Sequence, residues 1–217
     1  MLVVNKPANM LSQGDRTGDE DIQSLMKIWL KEKYQKPGNV FLGLVQRLDR
    51  PTGGLMVLAR TSKSASRLSE QIRARSFKKE YLAIVVSRQV RTGIVSHDIF
   101  KNKEKRKAVI SGTDPRTDES GDKKKAVMKV THLETRGELS LVKIDLYTGR
   151  YHQIRAQLAS MGMPVAGDRK YGTLRKGSKQ LALFCHRLAF EHPTRKETLR
   201  FQIPMPKEYP WDQFATE

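Results

Sequence analysis

Short apolar runs of strand length, separated by turn residues, recur along most of this chain and constrain its fold more than any other feature. Two of these runs are separated by the short connection around Thr135-Arg136-Gly137, which is short enough for an antiparallel hairpin. The sequence therefore predicts a mainly antiparallel sheet. The predicted strands are MLVV, VFLGLVQRL, GLMVLAR, KKEYLAIVV, GIVSHDIF, AVMKVTHLE, LSLVKIDLYTG, QLALFCHRLAF and ETLRFQIPMP.

Three segments have the spacing of helices instead. Residues 19–34 carry apolar side chains at helical intervals, Thr61 or Ser62 can cap a second helix, and a third is expected over 151–161. In the third helix, Ile154, Leu158 and Met161 form an apolar stripe, while His152 and Arg155 share another, polar face. Neither a repeat nor a low-complexity linker interrupts the pattern, and the end of the chain after the last predicted strand is expected to be an unstructured tail. The fold class expected is therefore α+β, in a single domain over residues 1–217 that could consist of two lobes.

Residues 101–125 differ from the rest, because they are almost entirely polar and charged. We expect most of this segment to form an exposed, mobile loop. Its basic ends could contact phosphate, although a solvated loop of mixed charge is an equally good interpretation.

The charge of the chain indicates the kind of partner it binds. The 41 Lys and Arg residues against 23 Asp and Glu residues give a formal charge of +18. Such an excess favours a polyanion, and because the lysines are spread along the whole chain, nucleic acid fits better than a membrane surface. A membrane helix needs about 18 uninterrupted apolar residues, which the sequence does not contain, and we expect a soluble, intracellular protein. The single cysteine, Cys185, lies in an apolar run and is expected to be a small buried residue.

The stretch LVQRLDRPTGG places polar residues where the predicted strand ends. Arg47 and Asp49 are two residues apart, so on a strand both side chains would point to one side. A carboxylate beside an arginine stays ionised, as a nucleophile or a general base requires. From this segment alone, a structural ion pair at a strand end is the better explanation. The histidine spacing suits no zinc site, and the sequence contains neither a phosphate-binding glycine loop nor a Gly-x-Ser-x-Gly motif, so no metal or nucleotide cofactor is expected.

Five segments occurring in order resemble the RluA-type RNA pseudouridine synthases, over nearly the whole chain. The resemblance implies the pseudouridine synthase fold, with helices flanking a central sheet and an active-site cleft. It also implies an isomerase that converts uridine to pseudouridine in RNA without a cofactor. The segments are LVVNKPANML, QRLDRPTGG, KKEYLAIV, GRYHQIRAQLASMGMPVAGDRKYG and LFCHRLAFEHP.

The resemblance also assigns roles to individual residues. Asp49 matches the essential catalytic aspartate, which either attacks C1′ of the ribose or removes a ribose proton. Arg47 matches the residue that enters the space left by the flipped base, Tyr81 the tyrosine that stacks on the flipped uracil, and Arg155 the arginine that pairs with the aspartate. A flat guanidinium stacks on bases better than an ammonium does, which suits the role implied for Arg47.

Other residues of the motifs are expected to support binding. Arg50 could meet phosphate, and Thr52 is placed with the residues that bind substrate. His152 and Gln153 belong to the same group, although orienting the helix or contacting backbone suits them better than chemistry does.

The chain departs from the family pattern at three places. Gln46 stands where the family has histidine, and Gly53 stands where it has serine, which removes a charge and a hydroxyl respectively. We also expect the protein to be without the small N-terminal RNA-binding domain that many relatives carry.

Two other functions remain open at this point. A basic RNA-binding or RNA-remodelling protein with the same fold would not need Asp49, Tyr81 and Arg155 together. A glycosidase-like enzyme would cleave the same bond without rejoining the base. We expect a cytoplasmic monomer that acts on ribosomal or transfer RNA, and the sequence selects neither the RNA nor the uridine.

Overall fold

The computed structural model describes residues 1–102, 106–113, 122–172 and 180–214 of the chain. These residues belong to two compact units. The first comprises Met1–Lys78 and Cys185–Ile203, and the second comprises Lys79–Phe184 and Pro204–Glu217.

The strands of the first unit are organised around one completely buried strand. They are β1 (Leu2–Lys6), β2 (Gly43–Leu44), β3 (Gly53–Ala59), β9 (Leu183–Glu191, of which the part from Cys185 lies here) and β10 (Thr198–Gln202). All seven residues of β3 are buried, and β1, β2 and β9 are its neighbours in the sheet. β1 pairs antiparallel with β3 from Leu2 opposite Leu58 to Lys6 opposite Gly54, and β10 pairs antiparallel with β9. Cys185 is fully buried, as predicted.

Gly54 permits the close approach of β3 and β9. Its φ is +115°, and a Cβ atom built on it would lie 2.5 Å from the backbone nitrogen of Cys185. Only glycine adopts such a backbone conformation without strain and leaves room for the neighbouring chain.

Two helices of the first unit confirm the sequence predictions. Helix α1 (Ile22–Lys33) begins at Asp21, whose carboxylate accepts a hydrogen bond from the Ser24 backbone N–H at 2.9 Å. Helix α2 (Ser62–Arg73) is capped by Thr61 through the N–H of Ser64 at 3.1 Å. These caps satisfy backbone donors that a helix N-terminus otherwise leaves unpaired. No helix in the described part of the chain is long and apolar enough to cross a membrane.

The second unit is built on a five-stranded antiparallel arrangement in the order β4-β8-β7-β5-β6. Its strands are β4 (Lys78–Val86, which belongs to this unit from Lys79), β5 (Gly93–Asn102), β6 (Lys107–Ile110), β7 (Lys124–Arg136) and β8 (Leu139–Leu146). β8 lies between β4 and β7. The predictions of α+β class and of a mainly antiparallel sheet are confirmed.

Helix α3 (Gln153–Ser160) is buried around most of its circumference. The predicted helix over 151–161 is thus confirmed with slightly shorter bounds. The sequence predicted one apolar stripe and one polar face, but Gln153, Arg155 and Gln157 are as buried as Ile154 and Leu158.

Three local predictions were wrong. Residues 45–49 are not a strand, because only Gly43–Leu44 of the predicted run pair with β3. The predicted loop 101–125 contains the end of β5, the strand β6 and the start of β7, while residues 103–105 and 114–121 lie outside the described part. The tail expected to be unstructured contains a 3-10 helix, Trp211–Phe214, with both of these aromatic side chains buried.

Strand β6 forms because its short apolar run has a core to pack against. Ala108 and Ile110 are buried in a cluster with Ile99, Ala126 and Ala156. Burying such side chains contributes more than the polar flanks of the segment cost. An apolar break of three residues within a charged segment was too short to reveal this in the sequence.

Candidate active site

The motif that contains Asp49 is an irregular loop of the first unit, between β2 and β3. Arg47 is exposed, Leu48 is buried and Asp49 is half-buried. The Thr52 backbone N–H donates to the Asp49 carbonyl at 2.9 Å and closes a tight turn after the aspartate. The predicted placement of Arg47 and Asp49 on a strand is therefore corrected to a loop that ends in a turn.

Ser12 replaces the strand partner that this loop lacks. Its hydroxyl donates to the Leu48 carbonyl at 2.7 Å and accepts from the Leu48 N–H at 3.1 Å. Buried backbone groups need partners, and one buried hydroxyl here satisfies both groups of a single residue. The residue immediately before Asp49 is thus fixed to the N-terminal segment.

Lys6 fixes the residue immediately after Asp49. This lysine is fully buried at the end of β1, and its ammonium donates to the carbonyls of Pro7, Met10 and Arg50 at 2.9, 2.7 and 3.2 Å. The segment from Lys6 to Ser12 therefore holds the loop on both sides of the aspartate.

The charge of Lys6 also acts on the electrostatics of the loop. Burial lowers the pKa of Lys6 to about 8, and attraction to the Asp49 carboxylate opposes this lowering. Because the pKa remains above neutrality, the side chain is a cation at pH 7. Asp49 thus has a buried positive neighbour besides the two arginines of its own motif.

Arg50 is partly engaged within the protein. Its guanidinium donates to the Asn9 carbonyl at 3.1 Å and forms an ion pair with Asp19 at 2.6 Å. Because this arginine and Asp19 are each about half exposed, the pair stabilises the fold little.

Thr52 and Gln46 differ in the hydrogen bonds that their side chains make. Thr52 is buried, and its hydroxyl has no partner among the described residues. Gln46 donates weakly to the Leu55 carbonyl at 3.5 Å, while its side-chain oxygen is buried and has no partner in the described part. Burial of Thr52 supports a role in shaping the turn rather than in contacting substrate.

In the second unit, Gln153 fixes the start of α3. Its side-chain oxygen accepts from the Thr148 hydroxyl at 2.7 Å and from the Arg150 N–H at 3.0 Å, and its amide donates to the Val127 carbonyl at 3.2 Å. With three contacts inside the protein, Gln153 matches the interpretation in which it orients the helix.

Arg155 forms a buried, two-point ion pair with Asp168. Its Nε and Nη2 donate to the two carboxylate oxygens at 2.7 and 2.8 Å. Burial alone would raise the pKa of Asp168, but the hydrogen bonds and charge of Arg155 outweigh it and the net pKa is lowered. Asp168 also accepts from the backbone N–H groups of Lys170 and Tyr171, so the helix and the turn that follows it are linked.

Tyr171 also links the Arg155–Asp168 ion pair to His152. His152 has a left-handed backbone, with φ of 49°, and its Nδ1 lies 2.9 Å from the Tyr171 hydroxyl. The same hydroxyl accepts from the Ala108 N–H at 2.6 Å, so its single proton is available for a neutral imidazole. Burial, followed by the charge of Arg155, lowers the pKa of His152 to about 3, and burial raises the pKa of Tyr171.

Tyr81 lies on β4, where it is opposite Ile144 of β8. Its side chain is 5% exposed. Within this unit the structure thus places a buried aromatic ring on a strand that is fixed by its sheet register.

The sequence analysis missed four residues that hold these groups, namely Lys6, Ser12, Asp168 and Tyr171. Lys6 could have been noticed as a charged residue ending an apolar strand, and Asp168 and Tyr171 as polar residues within a quoted motif. Ser12 gives no comparable signal. Among the described residues, no three His, Cys, Asp or Glu side chains are grouped so that they could hold a metal ion.

Comparison with known proteins identifies the family. Residues 1–160 match the family model described as RNA pseudouridylate synthase. The chain is 32% identical over 225 residues to a ribosomal large subunit pseudouridine synthase D of Xylella fastidiosa, with 96% of this chain and 64% of that protein covered. It is 31% identical to the uncharacterized RNA pseudouridine synthase YlyB of Bacillus subtilis, with 96% and 67% covered. A further relative, from Chloroflexus aurantiacus, is 34% identical, and the chain covers 52% of its length.

Solved structures agree with this assignment at the level of the fold. Human RNA pseudouridylate synthase domain containing 4 superimposes with a TM-score of 0.74 at 24% identity, covering 94% of this chain and 85% of that one. The corresponding human domain-containing protein 1 gives 0.68 at 23% identity, with 97% and 82% covered. The chain therefore belongs to the RNA pseudouridylate synthase family, as its resemblance to the RluA-type enzymes predicted.

Proposed function

We propose that this protein is an RNA pseudouridine synthase that isomerises uridine to pseudouridine. The observation that carries the proposal is the family match over residues 1–160, which includes Asp49 in a loop held on both sides by Lys6 and Ser12. A carboxylate that must act on a sugar needs such a fixed position, because catalysis depends on the reacting groups being held in place.

In this proposal Asp49 is the group that acts on the sugar. Asp49 cleaves the N1–C1′ bond, either by attacking C1′ or by removing a ribose proton, and C5 of the same uracil is then joined to C1′. The proton lost from C5 balances the one gained at N1, so the reaction needs no cofactor. Arg47, which is exposed, enters the space that the flipped base leaves in the RNA.

The family resemblance assigns two further residues, one to the base and one to the carboxylate. Tyr81 matches the family tyrosine that stacks on the flipped uracil, and Arg155 matches the family arginine that pairs with the catalytic aspartate. The ion pair of Arg155 with Asp168 supports this role by fixing the guanidinium plane. The contacts of His152 and Gln153 support positioning of helix α3 for this purpose.

The substrate that we propose is structured RNA, with ribosomal RNA ahead of transfer RNA. The formal charge of +18 suits a polyanion, and the relative from Xylella fastidiosa is named for the large ribosomal subunit. We further propose that residues 1–217 act as one catalytic domain, as a monomer, in the cytoplasm. The chain spans 52% of the length of the Chloroflexus relative and 64% of the Xylella relative, so these proposals concern the part of the protein given by this sequence.

The test is to map pseudouridine chemically in RNA from cells that lack the gene, after incubation with the purified protein. Ribosomal and transfer RNA are mapped separately, so that the experiment also identifies the substrate. We expect wild-type protein to form pseudouridine at defined sites and Asp49→Asn to form none while still binding RNA. Asp122→Asn is the control, since this carboxylate is 77% exposed and should retain full activity.

Each other function predicts a different result. Binding without pseudouridine would favour the RNA-binding protein, and release of free uracil would favour the glycosidase. Full activity in Asp49→Asn would refute the mechanism. Arg47→Ala should reduce turnover by more than it weakens RNA binding, because phosphate contacts elsewhere on the basic surface remain.

A further inference from the structure

A second set of residues in the first unit has the chemistry of a nucleic-acid contact, and the catalytic proposal does not use it. Large apolar side chains are concentrated at the surface on α1 and just after it: Ile28, Trp29, Tyr34 and Phe41 are exposed by 55, 38, 48 and 51%. Exposed apolar residues this closely spaced indicate an interaction surface rather than the scattered exposure that is normal.

Cations lie directly over two of these rings. The Lys33 ammonium is 4.5 Å from the centre of the Trp29 ring, and the Arg60 guanidinium carbon is 4.7 Å from the centre of the Tyr34 ring. Both distances are within the range of a favourable cation–π contact. The pairs hold the aromatic rings and the positive charges together at the same surface.

The charge of the surroundings identifies the partner. Residues 22–36 contain four lysines and one glutamate, and Arg60 adds a further positive charge. An apolar protein partner could pack against Ile28 and Phe41, but the cations over the aromatic rings would contribute nothing to its binding. A nucleobase can stack on an aromatic face while its phosphate meets the neighbouring cation, which is how proteins bind single-stranded RNA without reading its sequence.

We propose that Trp29 and Tyr34, with Lys33 and Arg60, form a stacking platform for a single-stranded segment of RNA, separate in role from the residues that act on the uridine. The platform deepens the proposed function and rests on it for the choice of RNA as ligand. It increases affinity for the substrate and does not take part in bond cleavage. Its loss should therefore raise the KM for RNA and leave kcat unchanged.

The intrinsic fluorescence of the full chain reports directly on this surface. The chain has two tryptophans, and Trp211 is buried with 4% exposure, so an added ligand that changes the emission acts mainly on Trp29. We expect oligouridylate to quench this emission in a saturable manner. Oligoglutamate, which has charge but no bases, should not quench it.

Binding of a labelled oligouridylate, measured by anisotropy, separates stacking from apolar contact. Trp29→Leu keeps an apolar side chain but removes the ring, and we expect its Kd to rise by at least about fivefold. Trp29→Phe should retain most of the affinity. Tyr209→Leu is the matched control, since this aromatic residue is 42% exposed in the second unit and its loss should leave binding unchanged.

Several outcomes would overturn the platform. In the fluorescence titration, these are the absence of quenching at saturating oligouridylate and equal quenching by oligoglutamate. In the anisotropy measurement, the outcome is unchanged binding by Trp29→Leu. An emission change caused by protein concentration alone would also overturn the platform, because it would indicate self-association. Pseudouridine mapping of the same variants distinguishes the two proposals. Quenching without any pseudouridine formation would refute the synthase and leave the platform, whereas normal pseudouridine formation with unchanged binding by Trp29→Leu would refute only the platform.

Discussion

Replacing Lys6 with methionine tests whether the buried ammonium holds the loop of Asp49. The substitution keeps a long, unbranched side chain but removes the donor to the carbonyls of Pro7, Met10 and Arg50. A carbonyl that loses its partner costs about 2 kcal/mol, or about 6 kcal/mol for the three. Burial lowers the pKa of this ammonium from 10.5 to about 8, so keeping it charged in the folded protein costs about 3 kcal/mol. Removing the ammonium recovers this free energy.

The expected net loss is therefore about 3 kcal/mol in the free energy of unfolding at pH 7. For a chain of this size that corresponds to a fall of roughly 10 °C in the unfolding midpoint. Urea denaturation followed by tryptophan fluorescence measures the loss, and Lys63→Met, at an exposed position of α2, is the control. Turnover should fall as well, with little change in RNA affinity, since the loop of Asp49 loses its attachment to the buried ammonium.

The pH dependence gives an independent check on the same residue. Because the folded-state pKa of Lys6 lies below its unfolded value, the unfolded chain binds more protons between about pH 8 and pH 10.5. The stability of the wild type relative to Lys6→Met should therefore be constant below pH 8 and increase as the pH rises through this window. A variant within about 0.5 kcal/mol of wild type, with no such increase, would refute the reasoning.

Two further substitutions test contacts within single units. Asp168→Asn leaves the buried Arg155 guanidinium without its counter-charge and should cost about 3–5 kcal/mol in urea denaturation. Since the pKa of Asp168 is lowered, the wild type should also lose this advantage as the pH falls below about 4, and an unchanged acid transition in the variant would contradict this. Gly54→Ala should destabilise the protein by more than about 3 kcal/mol, because its Cβ would meet the backbone of Cys185. Gly38→Ala has a comparable φ of +80° but open space, so it should cost only about 1 kcal/mol, and equal losses at both sites would exclude the clash.

The elements that the sequence predicted well are those whose signal is local. β3 is an uninterrupted apolar run, β8 is a mainly apolar one, and α2 has its capping residue beside it in the chain, so the determining residues are neighbours. The apolar pattern of residues 19–34 was also sufficient to predict helix α1. For α3 the same signal gave the bounds of the helix but not its burial, since that depends on polar contacts with other segments.

The loop of Asp49 could not be predicted in this way because its partners are distant in the sequence. Leu48 continues an apolar pattern and was interpreted as strand, yet both of its backbone groups bond to Ser12, 36 residues away. Lys6 is 44 residues from the carbonyl that it holds in the same loop. Hydrophobic periodicity does not reveal a backbone whose partner is a single hydroxyl or ammonium.

Arg155 is a further case in which the sequence revealed a residue but not its partners. The role of Arg155 was inferred from a motif, whereas the ion pair that holds its guanidinium was not predicted. Asp168 and Tyr171 were within a quoted segment, but only the fold brings the carboxylate to the guanidinium and the phenol to His152. Because a guanidinium that pairs at two points has its plane fixed, the geometry of Arg155 depends on Asp168 as directly as on its own helix. A motif thus identifies residues that the chemistry requires, and the residues that fix their positions must be found from the contacts of the folded chain.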